Sequence, residues 1–316
     1  MRSAIIFVVL LSMPPVYAGY LASTPDSLFI QASEGSIYFQ EDVEPARLKL
    51  VEMAQDSTDT ASARATIDYL VSILGTEHPR EYHALRNLFP RIGKPAVPAL
   101  IEALQGDSLR AVILGIEVLG RIKDSTAVQP LLAMVHHPQW NQKSSLRSNT
   151  YTALGRIGDH RATAFVMQGM NDEKELVRKA AAFGLRELRD PTAIPVLIDH
   201  LNDPFFGVRY PAAQALIKMD SLAVEPVLQA LQNPASDPVT RSYLIEVLKA
   251  TGLPDHLLVI FHFLEAEDPF IRGFAVDALA PYTEDPSVKA HLNTLEQMET
   301  NPFVRSQLEK ISRLQN

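Results

Sequence analysis

Six arginines, Arg147, Arg178, Arg209, Arg241, Arg272 and Arg305, recur along the chain at intervals of 31, 31, 32, 31 and 33. A guanidinium presents its donors in a planar fork, so a row of them suits the holding of carboxylates or phosphates. The row also has a plainer use. A residue present in nearly every unit of an array serves what every unit needs, and a ladder of arginines can do that by tying the units together. Five of the six follow an aliphatic residue (Leu146, Val177, Val208, Ile271, Val304). Seven residues beyond each of the first five stands a leucine: Leu154, Leu185, Leu216, Leu248 and Leu279. Offsets this regular favour the structural role for the ladder.

Two further groups of residues have recognition chemistry. Trp140, the only tryptophan, lies in the longest turn within a repeat, residues 136–143. Exposed among Asn141, Gln142 and Lys143 it would anchor a partner; folded back over its hairpin it would fill the space made by the longer turn. After Arg178, the residues Lys179, Phe183 and Arg186 fall on one helical face, turned away from the apolar stripe. One repeat later Tyr210 takes the place of Lys179, and Gln214 that of Phe183. Aromatics beside cations form a patch for a protein or peptide, with Lys179 and Arg186 steering acidic groups.

Acid–base and metal chemistry have little to work with. Glu246, Lys249 and Asp277 are the only clustered ionisable candidates for an enzyme active on an envelope substrate. His78 and His83 are five apart, and His256 and His262 six apart, so neither gives the i, i+4 pair of a helical zinc site. His136 and His137 are neighbours on a turn, a poor chelating arrangement. There is no cysteine, no Gly-rich phosphate loop, no His-Glu-x-x-His and no Gly-x-Ser-x-Gly. No catalytic residue, metal or cofactor is therefore expected, and the expectation is a non-catalytic scaffold that binds a protein or peptide along a groove.

A period near 31 with fixed internal offsets predicts stacked repeats. Eight are counted, beginning near Ala65, Ala96, Ala127, Ala162, Ala193, Ala223, Asp255 and Ser287. Each predicts a helical hairpin whose second helix begins around the arginine. Asp124, Asp159, Asp190 and Asp220 stand three residues before an opening alanine, where an N-cap acceptor belongs. Tyr82 and Val112 occupy the ladder position in the first two repeats.

The N-terminus reads as an export signal. Arg2 is followed by the apolar residues 4–11, the breaker Pro14-Pro15, and Val16-Tyr17-Ala18 as a cleavage site. This divides the chain into a signal peptide (1–18), an arm or cap (19–64) and the repeat array (65–316). In the arm, residues 44–55 predict a helix, 56–62 a polar linker, and 28–40 a short hairpin or extended segment centred on Gly35. The destination is the periplasm or the exterior, with no membrane insertion after cleavage. A formal charge of −8 disfavours nucleic acid and anionic lipid.

The run Ala193-Ile194-Pro195-Val196-Leu197-Ile198, then Leu201, Val208-Arg209 and Leu216, resembles a HEAT repeat. It is of the short kind also found in phycobilisome-lyase-like proteins, and residues 153–159 match the usual end of such a unit. The resemblance covers roughly 65–314. It implies an all-α, right-handed solenoid of about eight hairpins, in which each ladder arginine pairs with an acidic residue in its own turn: Asp172, Asp203 and Asp268 for Arg178, Arg209 and Arg272. HEAT-fold di-iron hydroxylases use His-Glu dipeptides, absent here, and HEAT-fold DNA glycosylases need a basic groove. No motif excludes a chromophore lyase, but export would part it from its usual cytoplasmic substrate.

Overall fold

A computed structural model describes residues 24–34, 40–233, 236–251 and 257–314. The expected signal peptide, Gly35 and His256 lie outside the described residues. Within them the chain is all helical, with eighteen α-helices, short 3-10 turns and no strand. It divides into two compact units, 1–157 and 158–316.

In the first unit, α1 (Pro25–Ala32) and α2 (Gln40–Gln55) precede three hairpins. These pair α3 (Thr60–Ser72) with α4 (Pro79–Ile92), α5 (Val97–Ala103) with α6 (Leu109–Ile122), and α7 (Val128–Leu132) with α8 (Ser144–Ile157). The stretch from 28, expected as a hairpin or extended arm, is helical to Ala32: Pro25 starts it where a missing N–H costs nothing, and Leu28, Phe29 and Ala32 form its buried side. Likewise the expected linker 56–62 is shorter. Asp59 caps α3 by accepting from the Ser62 N–H, so the helix starts at Thr60.

The second unit holds five hairpins. They pair α9 (Thr163–Gln168) with α10 (Glu175–Leu188), α11 (Ile194–Asp199) with α12 (Phe206–Lys218), and α13 (Ser221–Gln232) with α14 (Pro238–Thr251). The last two pair α15 (Leu257–Phe263) with α16 (Pro269–Leu279), and α17 (Pro286–Met298) with α18 (Pro302–Leu314). The five leucines that follow the arginines are fully buried, which sets the rotation of each second helix. Small residues let those helices approach: a Cβ built on Gly120 would lie 2.6 Å from the Ala153 Cα, so α6 and α8 pack backbone to backbone there.

Three of the four expected aspartate caps hold. Asp124, Asp159 and Asp190 accept from the backbone N–H groups of Thr126, Arg161 and Thr192. Asp220 does not: it stands at the N-cap position of α13, but with a φ of 51° and no side-chain cap bond.

Candidate functional site

Five of the six ladder arginines lie in the second unit, at the turns where first helices hand over to second helices. Arg178 stands in the first turn of α10. Its Nη1 donates to the carbonyls of its own turn, Asp172 at 2.9 Å and Glu173 at 3.3 Å. The other side of the fork, Nε and Nη2, closes on the Asp203 carboxylate of the following repeat at 2.6 and 2.9 Å. Arg272 repeats the arrangement, with Nη1 on the Ala266 and Glu267 carbonyls and the fork on Glu299 at 2.7 and 3.1 Å.

The pairing within one turn that the HEAT resemblance implied is therefore corrected. Arg178 and Arg272 each take backbone carbonyls from their own turn and a carboxylate from the next. Asp203 serves both roles, giving its carboxylate to Arg178 and its carbonyl to Arg209 (3.3 Å). Asp268, expected to pair with Arg272, instead caps α16 by accepting from the Phe270 N–H. The reason lies in position. Asp203 and Glu299 stand six residues before a ladder arginine, whereas Asp237 and Asp268 stand four before one and cap their own helices.

Electrostatics follow this geometry. Burial pushes Asp203 upward, but the Arg178 fork and the Phe205 N–H outweigh it and hold the carboxyl below its ordinary value. The Arg272 fork holds Glu299 low against the opposing effect of burial, with the Asn301 N–H helping. Asp190 is held at about 2: burial raises it, and hydrogen bonds from the Thr163 hydroxyl (2.8 Å) and from Thr192 more than compensate. His160 Nδ1 lies 3.1 Å from the same carboxylate.

Six residues before Arg241 and Arg272 stand Ala235 and Ala266, so two consecutive junctions carry no carboxylate at the ladder position. The Arg209 Nε is buried and makes no hydrogen bond among the described residues.

The recognition residues divide among separate places. Trp140, read as either an exposed anchor or a ring folded back over its turn, is only 6% exposed. Its ring meets Tyr151 edge-on at 5.9 Å, and its carbonyl accepts from Arg147 at 2.8 Å. The longer turn leaves space that the indole fills. Phe183 and Arg186 do come together, with the guanidinium carbon 4.4 Å from the ring centroid. Arg186 is also ion-paired to Glu187 at 3.0 Å, and Lys218 reaches the same carboxylate at 3.4 Å, which reduces its use for steering. Lys179 is exposed and Gln214 half-buried. Tyr210 is exposed by 50% and stacks on Phe206, itself exposed by 59%, with centroids 6.4 Å apart. Of the ionisable trio, Lys249 and Asp277 form an ion pair; Glu246 takes no part in it.

The sequence pattern missed an apolar row. Leu176, Phe206, Val239 and Phe270 are all exposed, two or three residues before successive ladder arginines. The signal was available two or three residues before each arginine. No helix among the described residues is long and apolar enough to cross a membrane, and no group of three or more His, Cys, Asp or Glu among them could hold a metal.

The model for HEAT repeats matches residues 97–183, 141–217 and 224–311, well over half the chain. The chain belongs to the HEAT-repeat family. A curated relative, phycocyanobilin lyase subunit alpha of Nostoc sp. (strain PCC 7120), is 28% identical over 171 residues, 52% of this HEAT protein and 54% of that one. The chain thus spans about half the length of that relative. Among solved structures, importin beta is similar in fold, with a TM-score of 0.53 at 15% identity over 85% of this chain and 45% of its own. The complex of CpcE and CpcF of phycocyanin lyase, also from Nostoc, gives a TM-score of 0.41 at 22% identity, covering 68% of this chain and 94% of that one. The expectation of a non-catalytic protein is corrected by the curated relative, a lyase subunit, which points to an enzyme-related function.

Proposed function

We propose that this HEAT protein works as a subunit of an enzyme assembly and seats a protein partner on the turn edge of its second unit. The relation to a lyase subunit over 171 residues carries the reading. The row of exposed apolar side chains, Leu176, Phe206, Val239 and Phe270, supports it, because large apolar groups recurring along one edge mark interaction surfaces. Phe206 and Tyr210 are the anchors, and Lys179 adds positive charge beside them. Residues 1–18 support placing this assembly outside the cytoplasm. Terminal sequencing of the fractionated protein checks this: a mature end at Gly19 is expected, and a cytosolic protein retaining Met1 overturns it.

In-cell crosslinking of the tagged full chain with mass spectrometry tests the surface, comparing wild type with Phe206→Ala/Tyr210→Ala. A partner lost by the double variant is expected. If no partner is trapped where a control complex is trapped, the reading fails. Trp140→Ala gives the contrast. It is expected to lower unfolding free energy by about 3–5 kcal/mol, while capture per folded molecule stays unchanged.

A further inference from the structure

We infer that three arginines on the second helices of the first unit, Arg86, Arg121 and Arg156, seat an acidic segment of a protein partner. This surface is distinct from the turn edge of the second unit, and the inference does not depend on that reading.

Helices α4, α6 and α8 together carry seven arginines and two glutamates, within a chain of formal charge −8. Arg80 and Arg91 pair with Glu34 and Glu44, and Arg147 donates to the Trp140 and Asn141 carbonyls. Arg110, at the start of α6, donates to the Thr76 carbonyl at 3.2 Å. The remaining three share one place. Arg86 is ion-paired with Glu117, which also accepts from the Tyr82 hydroxyl at 3.1 Å. Arg121, one turn after Glu117, donates to the Arg86 carbonyl and to Asn87 Oδ1 at 3.4 Å, both neutral acceptors. The contact of Gly120 with Ala153 draws α6 and α8 together, so Arg156 enters the same field. Of the two glutamates only Glu117 belongs to this group, since Glu81 accepts from the Thr76 hydroxyl.

The three arginines are half-buried, which strengthens charge effects among them. Burial, then the charges of Arg86 and Arg156, push the Arg121 guanidinium below its ordinary value, with Glu117 opposing. Arg121 thus carries a charge that the chain answers with a carbonyl and an amide. A partner carboxylate supplies the missing anionic acceptor, and the planar guanidinium fork suits it. Nucleic acid fits less well. Tyr82 is half-buried with its hydroxyl on Glu117, so it offers no platform for a base. The overall negative charge opposes a long polyphosphate, whereas a short acidic segment needs only the local surplus.

The test follows the fluorescence anisotropy of a fluorescein-labelled hexaglutamate peptide titrated with the full chain. Binding is expected at low ionic strength, weakening as salt is raised, and the hexaglutamine counterpart is expected not to bind. Arg156→Glu is expected to weaken binding about tenfold, while Arg64→Glu, the same change of charge on α3, leaves it unaltered. Glu117→Gln removes the carboxylate from the group and is expected to tighten binding about threefold, a gain that misfolding cannot produce. Phe206→Ala/Tyr210→Ala in the second unit is expected to change nothing here, which keeps this surface separate from the turn edge. The proposal is overturned if hexaglutamate fails to bind at millimolar protein or if Glu117→Gln binds it no more tightly. It is equally overturned if Arg156→Glu binds as the wild type does, or if an oligothymidylate binds more tightly than the peptide.

Discussion

The two units solve one problem at different places along their second helices. In the second unit neighbouring repeats are joined at the turn, where Arg178 and Arg272 in the first turns of α10 and α16 reach Asp203 and Glu299. The first unit has Tyr82 and Val112 at the ladder position of its first two repeats, and the connection there has moved along the helix. Tyr82 donates to Glu117 at 3.1 Å, Arg86 pairs with the same carboxylate, and Arg121 donates to the Arg86 carbonyl. That carbonyl is open because Pro90, inside α4, lacks the N–H that would reach back four residues. Arg121 supplies the missing donor from the next hairpin. These junctions share a polar link that fixes the stacking; which residues make it, and where, is free to vary.

The largest effect expected from breaking this pattern is at Asp203. Asp203→Ala leaves the mostly buried Arg178 guanidinium without its carboxylate and is expected to cost about 3–5 kcal/mol, read by denaturant unfolding. Arg209→Ala, which breaks no such pair, is expected to cost clearly less than Arg178→Ala; equal losses would refute the inter-repeat pairing. Next comes Arg121→Ala in the first unit, at about 1 kcal/mol for a part-buried carbonyl that loses its donor. Adding Pro90→Ala restores an N–H to Arg86, so the double variant is expected to recover part of the loss, and strict additivity in the cycle would sink the account of Pro90.

Acid separates the units more gently. Asp203 and Glu299 are both depressed from ordinary values of 3.8 and 4.5. Their stabilisation is complete above those values and is lost as pH falls below them, through the lower folded-state values. The second unit is expected to weaken below about pH 4, and Asp203→Asn to flatten that part of the stability curve. The smallest effect is at a helix end: Arg189 caps α10 with a φ of 54°, where Gly158 sits at 78° one repeat earlier. Arg189→Gly is expected to stabilise by up to about 1 kcal/mol, measured as a raised melting temperature.

The repeat architecture was legible because it rests on spacing. The arginine period, the leucine seven residues on and the aspartate caps each recur with a fixed local geometry, and the helical hairpins follow from them. The direction of the arginine pairing was not legible in the same way. Asp172, Asp203 and Asp268 look equivalent by nearness, yet Asp203 reaches back to Arg178 as well as accepting from the Phe205 N–H, while Asp268, two residues nearer its arginine, caps its own helix. Trp140 was ambiguous for a physical reason too, since a longer turn creates both an exposed loop and a void, and the void took the ring. The apolar row Leu176, Phe206, Val239 and Phe270 was missed because attention to the inward stripe leaves helix starts unexamined. Nothing in spacing alone reveals a buried Nε without an acceptor.

The reach of the arginine forks, 25 and 27 residues ahead, bears on how the second unit comes apart. Links this short in sequence favour rapid, local assembly, one hairpin templating the next. They also mean that opening one repeat removes an acceptor from its predecessor, so unfolding travels along the chain rather than striking everywhere at once. The sequence has alanine at 235 and 266, so an acidic residue is missing from the fork position of two junctions in the middle of the unit, the second of which Lys249 and Asp277 still bridge. Amide protons around α12 to α15 are then the first interior ones to exchange with solvent, in the stretch that begins with the Phe206–Tyr210 pair. A surface poised to receive a partner would coincide with the seam where the array opens most readily.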